Sequence, residues 1–451
     1  MIKKLLKIFF LLTFFVVTSL WLLDFNLSKK QFTFKKIKKI ISKDLIASLK
    51  EGATKIIDFD FEKTKKDEYQ LEGRKVIFEK FSNKILKYRY YLEQDKNNIY
   101  LITNRGELFY FSKETILKKN KIEIKKINTN IKNILGKDYI NDVNLVVKEI
   151  LLINEKIYIS YMANKDECYS NAILEGDLNL KEIIFLNFAK LNECKKHFNL
   201  SFGGNIKNFK DNKILWTIGD YESYEGEKKS DDPQNLNSYY GKILTLDLKT
   251  KNIKILSMGH RNPQGLFYDK NDNIVFSTEH GPQGGDEINV NVNPDEKLIK
   301  NYGWAISSYG EHYGYEKGYS EQIKNDPKIL LKMNKDDSNK YKLAPLYKSH
   351  KNYGFEEPIK YFTPSVGITE ILKVKNSLND NHKLLVASMG YDKEEDDMTL
   401  HILSFDKNFK QQAYEKIYIG ERIRDIIDLG NGIILMTIES SGSLALLRNI
   451  Y

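Results

Sequence analysis

The chain has 451 residues, enough for one large domain or a few ordinary ones. Its 41% hydrophobic and 12% aromatic content, with 28 tyrosines and 24 phenylalanines, excludes a disordered chain. The net charge of +10 comes from lysines scattered along the whole length, with no nucleic-acid motif beside them, so a nucleic-acid partner is not expected.

The N-terminus, "MIKKLLKIFFLLTFFVVTSLWLLDF", places Lys3, Lys4 and Lys7 before an apolar run from Ile8 to Leu23. A basic n-region followed by an apolar h-region is the form of an export signal. The run ends Trp21-Leu22-Leu23-Asp24-Phe25, without the alternating small residues of a cleavage site. At about 16 to 18 residues it is near the lower limit for spanning a bilayer. The expectation is an uncleaved membrane anchor over residues 1–25, with the remainder in the periplasm. A cleaved signal and a secreted protein are the alternative.

Residues 26–85 are basic and mixed, and "KKQFTFKKIKKIISKDLIASLKE" reads as a short amphipathic helix. From residue 86 the pattern changes to short apolar runs, each introduced by a polar turn. They are "KNNIYLIT" (96–103), "NEKIYISYM" (154–162), "DNKILWTIGD" (211–220), "NDNIVFSTEHG" (271–281), "NHKLLVASMG" (381–390) and "GNGIILMTIESSG" (430–442). Several have a partner strand soon afterwards, such as "GELFYFS" (106–112) and "GKILTLDL" (241–248), as hairpins do. Six such units, with one wide gap holding a loop-rich segment 300–372, predict an all-β, six-bladed propeller over residues 86–451. A two-sheet sandwich is the alternative. Within the region lie the only two cysteines, Cys168 and Cys194; in an oxidising compartment they are expected to pair, closing a loop worth about 3 kcal/mol. Two buried thiols are the other reading, and two cysteines alone are too few for a zinc site.

The densest polar constellation lies between residues 200 and 315. "SMGHRNPQGL" (257–266) carries His260, Arg261, Asn262 and Gln264; "TEHGPQGGDEIN" (278–289) and "NYGW" (301–304) follow. Three polar turns at one end of a propeller are the plain reading. In order and spacing, however, "GHRNPQGL", "EHGPQGGDEIN" and "NYGW" resemble the signature of the soluble glucose/sorbosone dehydrogenases, six-bladed propellers that use pyrroloquinoline quinone (PQQ) and calcium. The resemblance is clearest over residues 200–310.

The resemblance implies a cofactor site holding Arg261 and Asn262, joined by Arg422 and Arg424 from "GERIRDII" (420–427). Arginine suits the role because its guanidinium binds carboxylates bidentately and stays charged. Residues at i and i+2 point to one face of a strand. It also implies a calcium held by the carbonyls of Gly281 and Pro282, since calcium accepts backbone oxygens readily. Asp286 either biases this loop or ligates the metal itself, while Glu287 caps loop amides.

The sequence also departs from the family. Where the resemblance implies a catalytic histidine before a Gly-Gly pair, Ser201 stands, and Asn205 replaces an arginine. Serine without an activating partner is a poor base at neutral pH. His260 and His280 are the expected replacements, with His197 upstream as a further one. The family's quinone-facing lysine is also missing: Gly390 lies there, with Lys393 the nearest substitute. The expected function is PQQ- and calcium-dependent oxidation of a sugar or related alcohol, passing electrons to a periplasmic acceptor. A propeller that binds a ligand or protein without turnover, or that hydrolyses a lactone, is the alternative.

Overall fold

The computed structural model describes strand backbone at Lys55–Asp60 and Glu72–Ile77. It further describes residues 89–448, apart from 119–121, 137–145, 167, 197–200, 211, 222–230, 282–283, 311–345, 375–381, 391–396 and 440. The expected anchor over 1–25, His197, Pro282 and Lys393 lie outside the described residues. Among the described residues no helix is long and apolar enough to cross a membrane.

The fold is an all-β propeller of six blades. Their innermost strands are Tyr90–Gln94, Val147–Ile153, Gly203–Phe209, Pro263–Asp269, Ile368–Val374 and Ile423–Gly430. Each packs beside the next, and the sixth returns to the first, so the ring closes. Outward from each runs an antiparallel meander, as in blade 5 with His382–Ser388, Thr399–Phe405 and Gln411–Tyr418. Blade 6 has three strands in its own sheet, and Glu72–Ile77 of the N-terminal hairpin runs beside its outer strand Ser443–Leu447. That hairpin lies in the segment 26–85, where the sequence pattern shows no strand period.

A blade must be apolar on both faces, because each face meets a neighbour. Alternation along one strand achieves this. In Asn98–Thr103, Tyr100 and Ile102 pack with Ile150, Ile159 and Leu174 of blade 2. Ile99 and Leu101 face the other way, onto Leu435 and Leu446 of blade 6. Each such buried aliphatic contributes about 1.5–3 kcal/mol. At the outer edge of blade 2, Cys168 and Cys194 form the expected disulfide, with Cα atoms 5.3 Å apart.

An innermost strand has one edge with no further strand to pair, so its amides need other acceptors. Acidic side chains supply them across the seams between blades. Asp425 Oδ2 accepts from Leu92 N at 2.6 Å, Glu93 Oε2 from Leu152 N at 3.2 Å, and Glu370 Oε1 from Leu266 N at 3.1 Å. Glu149, whose Oε1 accepts from Ile150 N of its own strand, joins Glu370 and Asp425, and the three bring an oxygen each within 4.8 Å of one another in the central channel. Lys207 Nζ lies 3.6 Å from Glu149 and 3.3 Å from Glu370, supplying the neutralising charge.

Candidate functional site

Because all six innermost strands run the same way, the residues just before them share one mouth of the ring. So do residues just after the antiparallel second strands. Arg89, Ser201, Arg261, Asn262 and Arg422 belong to the first group; His280, Gly281, Gly390 and Glu439 belong to the second.

The loop after Ile274–Glu279 is shaped by close backbone approach. A Cβ on Gly281 would lie 1.8 Å from the Gly285 carbonyl oxygen, so no other residue fits. Asp286, 1% exposed, fixes the loop: its Oδ1 accepts from Gly281 N at 3.2 Å, and its Oδ2 from Val366 N at 3.1 Å and Ile368 N at 3.0 Å. The carboxylate is thus engaged by three amides, which fits the loop-shaping role better than that of a metal ligand. The carbonyls of His280 and Gly281 turn toward a single cationic atom, Arg261 Nη1, at 3.1 and 3.5 Å. Successive carbonyls gathered on a positive charge are the kind of donor set a hard cation uses.

Arg261 also stacks over the Trp304 ring at 5.6 Å, and Trp304 Nε1 donates to Asp220 Oδ2 at 2.8 Å. Asn262 is buried, its Oδ1 accepting from Gly203 N at 3.2 Å and Gln264 Nε2 at 2.7 Å. It thereby pins the turn that begins blade 3, where Gly203 and Gly204 have φ of +60° and +102°. Ser201, just ahead of that turn, is buried.

Arg422 and Arg424 meet on one face, as the i, i+2 spacing predicts. Arg424 Nε donates to Glu439 Oε2 at 2.9 Å, and Arg422 Nε lies 3.7 Å from Glu439 Oε1. Arg422 Nη1 also donates to the Gly390 carbonyl at 2.6 Å. Arg89 Nε approaches the same Glu439 oxygen at 3.7 Å. Burial opposes charge on Glu439, yet Arg424, Arg89 and Arg422 together hold its carboxyl down to about 2. One carboxylate therefore holds three guanidiniums in place. Glu439, Arg89 and the Asp286 contacts were not legible from pattern: nothing in "MTIESSG" distinguishes its acid from a turn residue.

The two histidines differ. His260 is fully buried, stacked on Tyr302 at 4.8 Å, with Nδ1 2.9 Å from Glu279 Oε2 and Nε2 2.8 Å from Ser257 Oγ. Both ring nitrogens are engaged inside the fold, so His260 braces Glu279 and Ser257, whereas the sequence expectation offered it as a base. His280 uses only Nε2, 2.5 Å from the Ile368 carbonyl. A carbonyl only accepts, so Nε2 is the donor and Nδ1 the acceptor of that ring. Burial pushes its pKa down, partly opposed by Asp286.

The profile of the Glucose / Sorbosone dehydrogenase family matches residues 96–329, more than half of the 451-residue chain. The chain belongs to the glucose/sorbosone dehydrogenase family. An uncharacterized protein of Synechocystis sp. is 24% identical to this dehydrogenase-family chain over 319 residues, 66% of this chain and 68% of that protein. Quinoprotein glucose dehydrogenase B of Acinetobacter calcoaceticus is 33% identical over 130 residues, but these span only 23% of this chain and 26% of that enzyme. The crystal structure of the soluble aldose sugar dehydrogenase of Escherichia coli in its apo-form shares the fold, with a TM-score of 0.57 at 18% identity over 80% of this chain and 96% of that one.

Proposed function

We propose that this protein is a PQQ- and calcium-dependent oxidoreductase acting on a sugar or related alcohol. The observation that carries the reading is the gathering of Arg261, Arg422 and Arg424 with Asn262 and the Gly281 carbonyl at one mouth of the ring. A tricarboxylate with a quinone fits this donor set, since its carboxylates need several guanidiniums, and Glu439 already draws three of them together. Calcium would be held by the Gly281 carbonyl, with Pro282 the expected partner and Asp286 shaping the loop. The cofactor supplies a two-electron acceptor for hydride from the alcohol carbon.

The chain's own part is to bind, orient and take a proton. Arg422 and Arg424 are pre-set by Glu439, so little side-chain freedom is lost on binding. Asn262 ties the floor of the site to Gly203. The hydroxyl proton goes to His280 Nδ1, the one ring nitrogen of the two expected bases not already engaged. Export to the periplasm is supported by the basic-apolar N-terminus and by the Cys168–Cys194 bridge, which forms in oxidising compartments.

The test adds PQQ and Ca²⁺ to the purified protein, follows binding by absorbance, and then measures dye reduction with aldoses. Binding with turnover is expected. Binding without turnover favours a ligand-binding propeller, the reading that Ser201 and Gly390 support. No binding, with Arg261→Ala and Arg422→Ala both silent, removes the cofactor from the account.

A further inference from the structure

Lys148, on the innermost strand of blade 2, is 8% exposed. Its stem lies against Gly204, where a Cβ would come within 2.8 Å of Lys148 Cβ, and its Nζ sits 4.4 Å from the centre of the Phe202 ring. Among the described residues it has no carboxylate at ion-pair distance and no hydrogen-bond acceptor. Its ammonium keeps a little accessible surface, so the nitrogen is open to an incoming acceptor while its stem is buried. The side chain lines a cavity of about 20 Å³ together with Gly203, Asn205, Gln264, Thr369, Arg424 and the channel acids Glu149 and Glu370. That volume takes one water or one ligand oxygen, not a ring system. The acids are already tied, Glu370 to Leu266 and Ile371 amides and both to Lys207.

We infer that Lys148 is a direct ligand contact, reaching the mouth of the ring from blade 2 to hold one anionic oxygen of the bound cofactor beside Arg424. This rests on the function proposed above and extends it to a residue that the motifs leave out. Position 390, where the resemblance implies a lysine, holds a glycine whose carbonyl accepts from Arg422. Lys148 therefore brings a cation to this mouth from another blade.

The contact has a proton signature. Burial, then the neighbouring Arg424 and Arg89, push the Lys148 amine well below the ordinary lysine range, against the opposing pull of Glu149 and Glu439. Tyr91 and Glu370 complete the groups around the cavity. An arriving anion reverses the balance, so binding draws a proton onto the amine.

Titration of the calcium-loaded protein with PQQ, by calorimetry in buffers of different ionisation enthalpy, reads affinity and proton uptake together. Wild type is expected to take up protons on binding. Lys148→Met should weaken PQQ by about 10- to 100-fold and lose that uptake. Lys148→Arg should restore most of the affinity without proton uptake, because a guanidinium is already charged. Lys148→Met with wild-type affinity and wild-type uptake overturns the inference alone. A loss that Lys148→Arg does not restore also overturns it, since that marks packing on Phe202 and Gly204 instead of charge. Failure of the wild-type protein to bind PQQ removes the proposed function, and this contact with it.

Discussion

The mouth of the ring and the central channel are built from the same strands, yet they handle charge in opposite ways. At the mouth, three guanidiniums converge on one acid: Arg89, Arg422 and Arg424 all approach Glu439. One residue further along the same strand, Asp425 belongs to the channel, where Glu149, Glu370 and Asp425 cluster around Lys207 and backbone amides. Pleating places successive side chains on opposite faces, so a strand can present a guanidinium to one environment and a carboxylate to another. In the channel the carboxylates complete the backbone hydrogen bonding of the fold; at the mouth a carboxylate holds the guanidiniums in place.

Glu439→Gln breaks the mouth most severely. Removing the acid leaves three neighbouring guanidiniums around a neutral amide, and losing one partner of a buried pair costs about 3–5 kcal/mol. Urea unfolding should show that loss, and saturating PQQ should recover part of it by supplying carboxylates to the same arginines. Unchanged stability would mean that the mouth is solvated enough to need no counter-charge.

The two histidines test whether the mouth is chemically active. His280→Asn should lower kcat by about 10²- to 10⁴-fold, the range for losing a positioned base, with PQQ still bound. His260→Asn should instead lower stability by about 1–3 kcal/mol, through the unpaired Glu279 and Ser257 groups, with kcat largely kept. The opposite pattern in stopped-flow dye reduction would return the base to His260.

These contrasts also explain what the sequence disclosed. Each of the six quoted runs covers all or most of the second strand of a blade, such as Lys213–Ile218 or Ile433–Ile438, because those strands are buried on both faces and read as continuous apolar segments. The innermost strands were harder to see. Sequences such as "YYLEQ" and "IRDIIDLG" contain acids that read as solvent-facing, when in fact Glu93 and Asp425 cap amides of the next blade. The arginines and the Gly-Pro loop were legible because their backbone demands are local, with Gly281 pressed against Gly285. Glu439, Arg89 and Lys148 were not, because their roles depend on which blades the ring brings together.

The disulfide offers a control remote from both regions. Cys168→Ser with Cys194→Ser should cost about 3 kcal/mol of unfolding free energy and leave PQQ affinity unchanged. A change in affinity would tie the outer edge of blade 2 to the mouth, against the separation drawn here.

The smallest expected effect is the one that separates channel from mouth by pH. Burial raises Asp425 to about 7, with Lys207 opposing and Glu370 adding to the shift. An unfolded aspartate titrates at about 3.9, so between these values the folded state binds more protons than the unfolded one. Stability from this group is therefore fullest below about pH 4, falls as pH rises toward 7, and is flat above. Glu149 is shifted in the same direction and adds to the decline. Glu439 behaves oppositely: held down to about 2, it stabilises above the ordinary glutamate range and loses that only in strong acid. Across pH 4.5 to 8, Asp425 and Glu149 should thus contribute to the slope of the urea midpoints and Glu439 should not. Asp425→Asn should lower stability at every pH by removing one acceptor from the Leu92 seam, yet make the decline with pH shallower. An unaltered slope would show that Lys207 keeps Asp425 ionised throughout, and that the channel carries its charges as fully paired as the mouth carries Glu439.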